Sequence, residues 1–187
     1  ARIETCHEVG GDLFDFQLRE DGQLVVLVGD VSGQGMGAAL LMSSTLSSAR
    51  VLYDECAGPL HLVRRLNAIL QRSTDSRSFV TMFVGWRDPA SGSFRFVNAG
   101  HPAPHIVRAG KVRTLPVTGI PVGMLQDHPW TEENTVLEPG ELLALFSDGI
   151  PEAQRGEEFF DMERVAEALR AVEAESDLAR AADRVIA

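Results

Sequence analysis

Two apolar-rich runs near the start of the chain, GDLFDFQLRE from Gly11 and QLVVLVGDV from Gln23, meet at Glu20-Asp21-Gly22 and read as a β-hairpin. A three-residue loop with Gly22 in the left-handed position pairs Phe14 with Val28, Phe16 with Val26 and Leu18 with Leu24, an unbroken apolar ladder on one face. A two-residue turn would set Phe14 against Gly29 and Gln17 against Val26, so the first register is preferred. That register has a chemical consequence. The next pair on the same face is Asp12 against Asp30, two carboxylates whose Cβ atoms would lie about 5 Å apart and repel. Protonating one of them, splaying into solvent or binding a divalent cation would each relieve the repulsion, and the cation makes the pair favourable.

The elements that follow point to an α+β architecture. MGAALLMSSTLSSARVLYDE has helical composition, and PLHLVRRLNAILQRST carries a stripe at Leu62, Leu66, Ile69 and Leu70 with proline in its first turn. SFVTMFVGWRD and SFRFVNAG form a second hairpin around PASG. Short strands are expected over His105 to Arg108, Val112 to Leu115 and Thr131 to Leu137. ELLALFSDG reads as a further buried strand with Leu142, Ala144, Phe146 and Asp148 on one face, and Met162 to Ile186 as two helices. Antiparallel hairpins with helices in segregated blocks make layered α+β structure, not alternating βαβ units. At 187 residues and 44% hydrophobic content the chain is expected to form one domain.

Composition narrows the function. A formal charge of −10 argues against nucleic acid or an anionic membrane as the main partner. No window offers the roughly 20 apolar residues of a membrane span, and no signal peptide opens the chain, so a cytoplasmic setting is expected. Cys6 and Cys56 lack CxxC spacing and read as reduced structural thiols. The glycines of VGDVSGQGMG superficially suggest a dinucleotide loop. Against that, a second helix follows the first, and no acidic residue closes a second strand about 20 residues on.

Asp12, Asp30 and Asp148 each end an apolar run beside glycine. Singly, each reads as a turn former or cap. Converging at one sheet edge they would offer the oxygen ligands that Mg²⁺ or Mn²⁺ prefer, and two such ions support hydrolysis of a phosphoester without a protein nucleophile.

EVGGDLFDF (Glu8 to Phe16), GDVSGQGMGAALLM (Gly29 to Met42), FVTMFVGW (Phe79 to Trp86), NAGHPAP (Asn98 to Pro104) and LFSDGIPEA (Leu145 to Ala153) together closely resemble the bacterial SpoIIE/RsbU branch of the PPM (PP2C-like) serine/threonine phosphatases. The resemblance implies a PP2C-like α-β-β-α sandwich of two antiparallel sheets flanked by helices. It implies two ions, Mn²⁺ or Mg²⁺. Asp30 matches the aspartate bridging both, the Val31 carbonyl and Asp12 match ligands of the second, and Asp148 matches a ligand of the first. A metal-bridged hydroxide would attack a phosphoserine or phosphothreonine. The implied substrate is a phosphorylated STAS-type anti-sigma factor antagonist, in a partner-switching pathway, with an upstream sensor domain and a homodimer compatible with the branch.

Two departures stand beside these matches. The family's further aspartate, in a DD-containing motif on a late strand, has no counterpart before AADRVIA; Asp183 lies in a helical stretch. The chain is therefore expected to be a phosphatase domain over 1–187, truncated at its C-terminus and excised from a longer regulatory protein, with a catalytically inactive phosphatase-like binding module as the alternative. Ser32 stands where eukaryotic relatives have a histidine. Leaving-group protonation then falls to water or another residue. Of the remaining polar residues, His101 is expected to be a turn histidine bonding backbone groups, and His7 and His61 surface or helix-flank residues. Asp15 is expected to be structural, while Asn98 and Glu152 are expected to support the site.

Overall fold

Gly22 adopts φ +81°, and its N–H donates to the Arg19 carbonyl at 3.0 Å while Arg19 N–H donates to the Gln23 carbonyl at 2.9 Å. This closes the expected three-residue loop, since only glycine takes that backbone region without penalty. In this computed structural model, which describes residues 10–73, 78–155 and 158–186, β1 (Leu13–Leu18) and β2 (Leu24–Val31) pair in the anticipated register: Phe14 with Val28, Phe16 with Val26, Leu18 with Leu24.

The burial of that hairpin differs from the expectation. The fully buried residues are the alternate set, Leu13, Val25, Leu27 and Val31, whereas Phe16 and Leu18 on the aromatic ladder are 66% and 71% exposed. The reason is position in the sheet. β1 is an edge strand, and the helix α1 (Gly35–Leu52) covers the other face of β1 and β2.

The chain divides into two units. The larger runs to His101 and resumes over Val117–Leu137. It holds one antiparallel sheet in the order β1-β2-β3-β4-β7, with β3 Val80–Arg87, β4 Ser93–Ala99 and β7 Glu133–Val136. α1 and α2 (Pro59–Ser73) pack together and onto this sheet, and Leu62, Val63, Leu66 and Leu70 of α2 join Leu27, Met82, Val84 and Trp86 in its core. Pro59 opens α2, where a missing N–H costs nothing. Tyr53 meets Trp86 edge to face, with centroids 6.2 Å apart, on the helix side. Phe83, Phe94 and Phe96 cluster at centroid separations of 5.5–6.1 Å. Gly85 makes room for them: a Cβ there would lie 2.2 Å from Phe94 Cζ.

The smaller unit holds Pro102–Pro116 and Glu138 onward. Its three-stranded antiparallel sheet has the order β6-β5-β8, with β5 His105–Arg108, β6 Lys111–Thr114 and β8 Leu142–Ala144, beside a short pair β9 (Gln154–Arg155) and β10 (Glu158–Phe159). α3 (Asp161–Val172) packs on β5 and β6, and α4 (Leu178–Ile186) packs on α3; Val107, Phe146, Val165 and Leu169 form the core. The expected strand through Asp148 is shorter than its sequence suggests. Pairing ends at His105 with Ala144. The residues of β5's leading side that would continue it are Pro104 and Pro102, which have no N–H to give a ladder.

Two antiparallel sheets, each served by a pair of helices, make this an α+β fold. Among the described residues no helix is long and apolar enough to cross a membrane.

Candidate metal and phosphoester site

The strand ends of the larger unit build the candidate site. Beyond Leu13 the first hairpin continues: Val31 N–H donates to the Gly11 carbonyl at 3.3 Å, which extends the register and sets Asp12 across from Asp30. Both residues are half-buried, and Asp12 Oδ1 is itself a buried atom. Gly11 decides how close the chain can come. A Cβ at Gly11 would sit 2.9 Å from Asp30 Oδ1 and 2.8 Å from the Val31 carbonyl oxygen. The absence of that carbon lets the Gly11 backbone pass close beside these two oxygens, and with the Asp12 carboxylate they are the donor type a hard cation takes.

After Val31 the chain is pinned and then turned. Ser32 N–H donates to the Phe79 carbonyl at 2.9 Å, and its hydroxyl oxygen accepts from Phe79 N–H at 2.9 Å. Ser32 thus splices β2 to the start of β3. Gly33 and Gly35 take φ +99° and +73° and swing the chain into α1, whose N-cap Gln34 makes no side-chain capping bond.

Thr81 of β3, itself held by His101 just past β4, supports Asp30. Thr81 pairs with Asp30 across β2 and β3; its hydroxyl lies 3.4 Å from the Asp30 carbonyl and 3.0 Å from His101 Nδ1. His101 is 2% exposed, and its N–H donates to Asn98 Oδ1 at 2.9 Å. The His101 ring meets the Thr81 hydroxyl through Nδ1, while the bond to Asn98 is made by its backbone N–H. Asn98, fully buried, holds that turn closed. Thr81 escaped the sequence reading: it is the one hydroxyl within the apolar run FVTMFVGW, and only the pairing of β2 with the distant β3 places it opposite Asp30.

Asp15 is structural, as expected. It receives a bidentate pair from Arg50 at 2.9 and 3.0 Å. Nearby, burial first and the Asp15 charge second push the Tyr53 phenol up. Cys56 is a buried free thiol that burial holds above its ordinary pKa, in keeping with a structural role. His61 is exposed on α2 and accepts from Ala57 N–H at 3.4 Å.

Asp148 belongs to the smaller unit. It is exposed, in a turn rather than at a strand end, and its carbonyl accepts from Glu152 N–H at 2.9 Å. Glu152 is exposed as well. Among the described residues no three His, Cys, Asp or Glu side chains gather as a cation cluster. Glu8, Cys6 and His7 lie outside the described residues.

The family model for stage II sporulation protein E (SpoIIE) matches residues 20–187. The chain belongs to the SpoIIE family. Phosphoserine phosphatase RsbU of Bacillus subtilis is 27% identical over 157 residues, covering 82% of this chain and 46% of RsbU. The chain spans less than half the length of the curated relatives it matches. Among solved structures, the RsbU and RsbW domains of a Mycobacterium tuberculosis protein align with TM-score 0.83 at 27% identity, covering 97% of this chain and 51% of that one. RsbX, crystallised in complex with magnesium, aligns with TM-score 0.71 at 14% identity over 97% of this chain and 81% of that one, a likeness of fold. The SiaA-PP2C domain of Pseudomonas aeruginosa aligns with TM-score 0.82 at 20% identity over 95% of this chain and 72% of that one, which gives this SpoIIE-family chain a PP2C-like fold.

Proposed function

We propose that this chain is the catalytic part of a metal-dependent serine/threonine phosphoprotein phosphatase. The observation that carries the reading is the pair Asp12 and Asp30 opposed at the end of the first hairpin, with Gly11 placing no side chain beside Asp30 Oδ1 and the Val31 carbonyl. Asp12, Asp30 and the Val31 carbonyl would hold divalent cation, Mn²⁺ or Mg²⁺, two ions in the full site. Asp148 enters through its motif, LFSDG, as a further ligand. Bound there, the ions supply Lewis acidity toward the phosphoryl oxygens and lower the pKa of water.

The chain's own part is placement. The Asp30 backbone is fixed from three sides: by the Val31 N–H bond to the Gly11 carbonyl, by Thr81 of β3, and by the Ser32 splice that follows it. Opposed carboxylates at a fixed spacing are costly without a cation and need no rearrangement when one arrives.

The substrate we favour is a phosphoserine or phosphothreonine on a STAS-type anti-sigma factor antagonist, within a partner-switching pathway. The relatedness to RsbU supports this choice. The test is phosphate release from such a phosphorylated antagonist by the full chain with Mn²⁺. Asp30→Asn should lower the rate by about a hundredfold or more. Equal rates for the two proteins, or no turnover by the unaltered chain, would contradict the reading; the latter would leave a binding module without catalysis.

A further inference from the structure

The larger unit carries a second recess, lined by none of the residues of the candidate site. It has a volume of about 700 Å³ and runs between α2 and the loop Gln126–Pro129. Its walls are held together by side-chain amides. Asn67, 3% exposed, accepts from Gly123 N–H at 2.8 Å and donates to the Leu125 and Gln126 carbonyls, both at 3.0 Å. Gln71 donates to the Gly123 carbonyl. A recess braced this way keeps its shape before anything enters it, which reduces the ordering cost of binding.

Its charge is unlike that of the chain as a whole. α2 contains Arg64, Arg65 and Arg72 and no acidic residue, in a chain of net charge −10. Arg65 is paired with Glu55 at 3.4 Å. Arg64 and Arg72, both exposed and both lining the recess, have no carboxylate partner among the described residues. His128 on the opposite wall accepts Ile120 N–H at Nε2, 3.3 Å away, so Nδ1 is its proton-bearing nitrogen. Among the described lining residues Asp127, on the same wall, is the one opposing charge.

We propose that this recess docks an acidic segment of a protein partner, bound in extended form with two carboxylates on Arg64 and Arg72. The spacing fits. Eight residues of α-helix separate the two arginines by about 12 Å at 1.5 Å per residue. An extended peptide advances about 3.3 Å per residue and returns to the same side every second residue, so carboxylates four positions apart span the same distance. Arginine's planar fork binds such carboxylates in two-point geometry.

The test is fluorescence anisotropy of a labelled ten-residue peptide with two glutamates four positions apart, and of its glutamine counterpart, against the full chain in low salt with chelator present. The assay needs no metal, so its outcome is separate from the phosphatase reading. The glutamate peptide should bind, with the glutamine peptide about tenfold weaker or more. Arg64→Glu with Arg72→Glu should weaken binding by a similar factor, Arg64→Gln with Arg72→Gln less so, Asp127→Asn should tighten it, and added salt should loosen it. Circular dichroism establishes that each variant is folded. Equal binding of the two peptides, absence of binding by the unaltered chain, or charge reversal without effect would overturn the proposal.

Discussion

Thr81 has two partners in reach of its hydroxyl, the Asp30 carbonyl and Nδ1 of the buried His101 ring. Replacing it by valine keeps the volume and strands a ring nitrogen in the interior, where an unmet polar group costs about 1–3 kcal/mol. Urea denaturation of Thr81→Val should show a loss of that size, with Thr81→Ser recovering most of it. His105 offers a pH test. It is 4% exposed, and burial pushes its imidazole below the ordinary value of 6.5. The unfolded chain then takes up a proton at higher pH than the folded one, so the stabilising contribution is present above about 6.5 and is lost as pH falls through the folded value. Thermal unfolding should show a lower midpoint at pH 5.5 than at 7.5, with a smaller difference in His105→Gln. The Asp12–Asp30 opposition was legible in the sequence because a glycine-closed loop fixes register residue by residue. Gly11's close approach and Thr81's bonding were not, because each depends on a neighbour from a different segment.

At the scale of elements, Gly85 is where packing is tightest. It lies in the middle of β3, and the Phe94 ring occupies the space its side chain would need. Gly85→Ala forces the Phe83, Phe94 and Phe96 cluster apart and should lower unfolding free energy by about 1–3 kcal/mol or more, measured by urea titration. The helices and most strands were readable from period alone, as the α2 stripe shows: Leu62, Leu66 and Leu70 are all buried. Two features resisted. Which face of the first hairpin is buried depends on β1 being an edge strand, and the length of β8 depends on Pro102 and Pro104 in a distant segment. Pairing partners, not local composition, settled both. The polar face of α2 was passed over for the same reason: Arg64 and Arg72 acquire meaning only once the Gln126–Pro129 loop stands opposite.

At the scale of the molecule, the chain is a SpoIIE-family phosphatase fold with two sheet-and-helix units, and in a chain of net charge −10 a recess lined by Arg64 and Arg72 lies along α2. The α+β class followed from hairpins and helices occurring in blocks, so the whole was more legible than several of its parts. The account rests on one claim, that Asp12 and Asp30 together form a cation site. Calorimetric titration of the full chain with Mn²⁺ tests it most directly. Saturable binding should be weakened in Asp12→Asn and lost in Asp30→Asn, both variants keeping the native circular dichroism; binding unchanged in both, or none in the unaltered chain, would contradict it.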